Sequence, residues 1–243
     1  MFPIINEKGN SRIMKKSLLI ILVFFVLISG LWGGDTAVFV DLGFSPDGKT
    51  YMFGQYGVLS PSLKPWAEIF IVDMDNNNFV PNGKANYMQN AAIKAGQDGS
   101  GVFYQLLNNN SDLASRYRIN FQNQGQPLYI SRDENPPQRG EIVTFRDFLW
   151  GKSYKAQLIP VITGSGLNVR SSFHISLDTV HPNGLTSIIK VGNPQIVRPG
   201  IASYNINKVL IDEKGNSLIF VIEMKRAAEN GFDTRYMVEA VRF

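Results

Sequence analysis

Short runs of apolar, β-branched and aromatic residues alternate with turn-forming dipeptides along most of the chain. Tyr51-Met52-Phe53, Ile69-Phe70-Ile71-Val72, Leu158-Ile159-Pro160-Val161-Ile162 and Leu218-Ile219-Phe220-Val221-Ile222 are continuous runs. They are too short for buried helices and predict strands covered on both faces. Phe173-His174-Ile175-Ser176-Leu177-Asp178 alternates strictly and predicts a strand with one wet face. Between such runs stand Asp47-Gly48, Asn82-Gly83, Asn183-Gly184 and Asn230-Gly231, pairs that tolerate the positive φ of tight hairpins. The expected fold is mainly β, with short-stranded antiparallel sheets in a propeller-like or sandwich arrangement.

The period changes in one stretch. Val102, Phe103, Leu106 and Leu107 are spaced as a helical stripe, Ala91, Ala92 and Ala95 are helix-compatible, and Ser111-Asp112 can open a second short helix. A helical insert is therefore expected near residues 85–118. Arg132 to Glu141, with Pro136-Pro137, reads as a surface loop. A loose pattern of one apolar residue, a glycine four positions on and three further apolar residues occurs at 44–53, 121–130, 180–189 and 211–220. Its spacing is irregular, so it predicts recurring hairpins rather than a repeat architecture.

The N-terminus follows another pattern. Lys15-Lys16 precedes an unbroken apolar run from Leu18 to Ile28, and Ser29, Gly30, Gly33 and Gly34 lead to Asp35. A cationic segment, a short apolar core and a small-residue exit describe a secretory signal peptide over residues 1–34. The exit lacks an Ala-x-Ala signature, so retention as an inner-membrane anchor by residues 18–32 is the alternative. Residues 35–243 are expected to form one exported β-rich domain in the periplasm or at the cell surface.

Charge changes less than it first suggests. The 243-residue chain carries a net charge of +4, but Lys8, Arg12, Lys15 and Lys16 against Glu7 supply most of it. Without the leader 20 basic and 19 acidic residues are left, with no Lys/Arg cluster. A nucleic-acid surface is not expected, and membrane contact is expected only through an uncleaved leader. The absence of cysteine excludes disulfides, thiolate catalysis, zinc–sulfur and iron–sulfur sites and cysteine-linked lipid anchors.

Candidate chemistry is sparse. Asp73, Asp75 and Asn77 place oxygen ligands at alternate positions as a calcium loop does, but Asn78 and Lys84 stand where an EF-hand needs Gly and Glu. They are a weak candidate for a structural calcium ion; no other cofactor is expected, and local Asx turns explain the same residues. Ser172, His174, Ser176 and Asp178 share one predicted strand face, yet His174 and Asp178 would lie about 13 Å apart, too far for a triad. Asp133, Glu134 and Glu141 could serve as acid/base groups only if folding converges them. The ligand or partner candidates are Tyr56, Trp66 and Trp150, each beside Gly or Pro, because exposed rings stack on sugars and peptides.

FSPDGK at residues 44–49, followed by AEIFIVDMD at 67–75, resembles one blade of a TolB-type or WD40-like β-propeller. That likeness covers about 35 residues and implies a blade-like hairpin, with the last strand (235–243) closing on the first. The wider order is the leader, then GDTAVFVDLGFSPDGKTYMFGQYG (34–57), SSFHISL (171–177), LIFVIE and RYMVEAVRF. It is similar to an uncharacterised family of bacterial predicted secreted proteins, which implies export and brings no catalytic residue. The function expected is non-catalytic binding of an unknown envelope protein or glycan. The alternatives are an envelope hydrolase using carboxylates or a metal, and a structural or assembly factor of the outer envelope.

Overall fold

Alternation of apolar faces organises three antiparallel sheets. The structure, a computed structural model, describes residues 34–94, 96–132, 140, 142–229 and 231–243; the expected leader and the carboxylates Asp133, Glu134 and Glu141 lie outside them. Sheet 1 is the meander β1 (Val38–Phe44), β2 (Thr50–Leu59), β3 (Lys64–Asp73) and β4 (Asn78–Met88). Sheet 2 comprises β6 (Ile142–Asp147), β7 (Lys152–Thr163) and β8 (Arg170–Val180), with β9 (Thr186–Val191) and the short β10 (Arg198–Pro199) both paired to β8. In sheet 3, β5 (Gln126–Ile130) lies beside β11 (Ile201–Ile211), followed by β12 (Ser217–Ala228) and β13 (Gly231–Arg242).

Sheet 3 is the middle layer. Leu218, Phe220 and Ile222 of β12 pack with Phe173, Ile175 and Leu177 of sheet 2. Their neighbours Ile219 and Val221 pack with Tyr51, Phe53 and Val72 of sheet 1. Strand residues point alternately to opposite faces, so a run that is apolar at every position suits a layer covered twice. Sheet 1 repeats the device: Tyr51 and Phe53 face sheet 3, while Met52, Ile69 and Ile71 face outward under α1 (Ser100–Asn109) and α2 (Ser111–Arg116). The buried side chains of α1 are Val102, Phe103 and Leu106, the stripe the sequence predicts. These clusters and pairings all lie within residues 34–243, which form one compact unit and so carry what is needed to fold alone.

Several expectations change. The helical insert is shorter than 85–118, because residues 85–88 finish β4 and Ala91 and Ala92 lie in irregular chain. Asn82-Gly83 is no hairpin tip: it lies inside β4, where Val72 pairs with Phe79 but Phe70 with Lys84. The extra residues bulge there, with Asn82 at φ 58°. The run 158–162 is covered on one face only, leaving Val161 53% exposed, and among the described residues β6 pairs β7 only as far as Gln157, so no described β6 residue stands opposite Pro160. The alternating strand β8 is as expected, with Phe173, Ile175 and Leu177 buried.

The last strand does not complete a sheet with the first. β13 pairs with β12, and its link to the N-terminal segment is an isolated parallel bridge, Thr36 to Thr234. The three sheets form a layered stack in place of the closure that the blade likeness implies. Turn chemistry aligns one end of it. Gly48 of the β1–β2 turn (φ 67°) lies so close to the β11–β12 turn that a Cβ would stand 2.7 Å from Asp212 Oδ2. The Ser217 hydroxyl donates to the Gly48 carbonyl at 3.0 Å.

Candidate functional site

A groove crosses the outer face of sheet 2. Its cavity of about 810 Å³ is bordered by three successive cross-strand rows. One row is Thr144, Lys155, Asp178 and Ile188; another is Arg146, Ser153, Val180 and Thr186. Between them the buried row Phe145, Tyr154, Thr179 and Ser187 supplies the floor, and Leu128 and Phe148 complete the lining. The walls are mixed: Ile188 is 74% and Phe148 80% exposed, Lys155 and Asp178 stand opposite each other, and hydroxyls come from both outer rows.

Beneath the floor the chain is polar and closely held. Asp147 is fully buried, and its Oδ1 accepts the backbone N–H groups of Leu149 at 2.9 Å and Trp150 at 3.1 Å. That carboxylate shapes the β6–β7 turn, which presents Phe148, Leu149 and Trp150. The Tyr154 phenol is pushed far above its ordinary range by burial and by the Asp147 charge. It belongs to the support of the groove and not to its reactive surface.

The groove's reactive inventory is small. Ser172, His174, Ser176 and Asp178 follow one face of β8, and burial, then Lys190, lower the His174 pKa. His181 Nε2 lies 3.3 Å from Ser187 Oγ at the groove's end. Among the described residues no carboxylate bonds the other ring nitrogen, so the pair lacks the orienting member of a triad. The carboxylates with raised pKa lie elsewhere. Asp41, on β1, is pushed up to about 6 by burial, and Glu239, on β13, is raised by burial against Asn77 and Arg198.

The residues singled out in the sequence do not converge. Trp66 is 5% exposed: its indole donates to Asp35 Oδ2 at 2.8 Å, and the Arg235 guanidinium lies 4.2 Å from its ring centre. Tyr56 packs 5.5 Å from Phe103 and supports α1. Only Trp150 fits an exposed ring, at 47%, and it borders a separate cavity of about 360 Å³ with Leu149, Asp212 and Glu213.

The calcium candidates are committed to other partners. Asp73 accepts from the backbone of Asp75 and Asn76 and from the Asn76 amide, while Asp75 lies 3.4 Å from Arg242 Nε. Asn77 donates to Glu239 at 2.6 Å and accepts from the Ala240 N–H at 2.7 Å. Among the described residues no cluster of three or more His, Asp or Glu is placed to hold a metal, and no helix is long and apolar enough to cross a membrane.

Of the groove residues, Phe148 carried a sequence signal: it opens the apolar triplet Phe148-Leu149-Trp150 in a turn where polar residues are usual. In comparison with known proteins, a family model described as a predicted secreted protein (DUF2259) fits residues 52–242. No curated protein and no solved structure matches the chain.

Proposed function

The chain belongs to this family of predicted secreted proteins, and from that premise we propose that it is a periplasmic or cell-surface recognition module that binds without chemical turnover. The carrying observation is the groove across sheet 2, a built concavity on a rigid sheet rather than a loop surface. Its occupant is an envelope glycan or protein segment of mixed polarity. Phe148 and Ile188 offer apolar contact, Lys155 and Asp178 offer charge, and Thr144, Ser153 and Thr186 offer hydroxyls.

The inventory supports binding over hydrolysis. A carboxylate hydrolase needs two acidic groups flanking the scissile bond, and among the described residues Asp178 is the one carboxylate that lines the groove. The test is capture from envelope extract with tagged residues 34–243, comparing wild type with Thr144→Lys/Ile188→Glu. Recovery of one glycan or protein by the wild type and its loss in the variant support the reading. Turnover of an envelope polymer, or labelling of Ser187 by a serine-directed fluorophosphonate, overturns it.

A further inference from the structure

Beside the groove, two neighbouring turns end in bare apolar side chains. Phe148 and Leu149 of the β6–β7 turn are 80% and 74% exposed, and Leu185 of the β8–β9 turn is 65% exposed. The turns lie together: a Cβ on Gly151 would stand 3.4 Å from Pro182. They are also built rigidly. The buried Asp147 carboxylate ties the backbone of Leu149 and Trp150, and the Trp150 indole lies against Gly215, where a Cβ would stand 2.4 Å from Nε1. Large apolar groups projecting from a fixed tip cannot be covered by the domain that carries them, so they are free for something outside it.

The surrounding charge identifies the occupant. Arg146 lies 5.5 Å from the Phe148 ring centre, Lys152 lies 4.9 Å from that of Phe243 and donates to the Gly215 carbonyl, and Lys214 is exposed beside them. The acidic neighbours Asp147 and Asp212 are buried and bound to backbone N–H groups, leaving Glu213 as the exposed anion of these turns. Projecting aliphatic and aromatic tips, a half-exposed tryptophan and flanking cations match the layers of a bilayer surface: acyl chains, headgroup interface and anionic phosphates. We propose that this end of the domain docks on an anionic lipid bilayer, with Phe148, Leu149 and Leu185 inserted and Trp150 at headgroup depth. Membrane contact then does not depend on the leader.

This goes beyond the groove reading and uses Leu149, Trp150 and Leu185, none of which lines the groove, so either can fail alone. The experiment uses residues 34–243 with vesicles of phosphatidylethanolamine and phosphatidylglycerol bearing brominated acyl chains. That chain has two tryptophans, the exposed Trp150 and the buried Trp66, so Trp150 reports depth while Trp66 is an internal control. The expected result is a blue-shifted, bromine-quenched emission that Trp150→Phe abolishes. Leu149→Ser/Leu185→Ser, with unchanged far-UV circular dichroism, should weaken partitioning at least about tenfold, as should replacing phosphatidylglycerol with phosphatidylcholine. No association, association undiminished in the double variant, equal affinity for neutral vesicles, or an emission shift that follows protein concentration without lipid (self-association through the tip) would each overturn the proposal.

Discussion

The Trp66 indole N–H ends on Asp35 Oδ2, 2.8 Å away, and the Arg235 guanidinium meets the same oxygen at 2.7 Å. A residue at the start of the described chain is thereby tied to β3 and β13, and Asp35 is only 4% exposed. Replacing Asp35 with Ala removes the nearer counter-ion of a nearly buried guanidinium and leaves it only Asp233, 4.0 Å away. We expect a loss of about 3–5 kcal/mol of stability, measured by urea denaturation of residues 34–243, with Asp35→Asn losing less because it still accepts from the indole.

Asp41 makes stability depend on pH. Burial raises its pKa to about 6, against the lowering influence of Tyr51, Lys208 and the Gly43 N–H. Between about pH 4 and 6 the folded chain keeps a proton that the unfolded chain has released. This contribution is therefore fully present below pH 4 and is lost as pH rises through 6, by up to about 3 kcal/mol. Asp41→Asn should raise Tm at pH 7 and leave it near wild type at pH 4; an equal effect at both would contradict the assignment.

Asn77 joins the β3–β4 turn to β13 through Glu239 and Ala240 while holding φ 48°. Asn77→Ala should cost about 2–3 kcal/mol, from an underpaired buried carboxylate and a strained φ. Asn77→Gly relieves the backbone and should cost less. Millimolar calcium should leave Tm unchanged in differential scanning calorimetry, since Asp73 and Asp75 already serve other partners.

Gly215 is the seat of Trp150. At φ 69°, with the indole where a Cβ would stand, Gly215→Ala should cost at least about 1–2 kcal/mol and displace the ring. Acrylamide quenching of the Trp150 emission should increase relative to wild type.

Elements that depend on local period were legible in the sequence. Phe173 to Asp178 alternates because one face of β8 is packed and the other is not, and Val102, Phe103 and Leu106 recur at helical spacing because one side of α1 lies on sheet 1. Layering was half legible: Leu218 to Ile222 announces a strand covered twice, but not which sheets cover it. Long-range pairing leaves no local mark, as β5 shows: it joins β11, so Tyr129 meets Val209. The groove was hidden for the same reason, since its rows take one residue from each of four strands. Trp66 misled because a ring between Pro65 and Ala67 reads like a loop, while the Asp35 and Arg235 that bury it are far away in sequence.

The middle layer also sets an order of assembly. Apart from β5, its strands follow every strand of the two outer sheets in chain order, so until they emerge those sheets have nothing to lie on. A chain cut short before Ile201 would carry two facing apolar surfaces without their common partner. Translocation of an unfolded polypeptide suits such a design, because the structure closes only when the C-terminal strands arrive and all three layers meet at once.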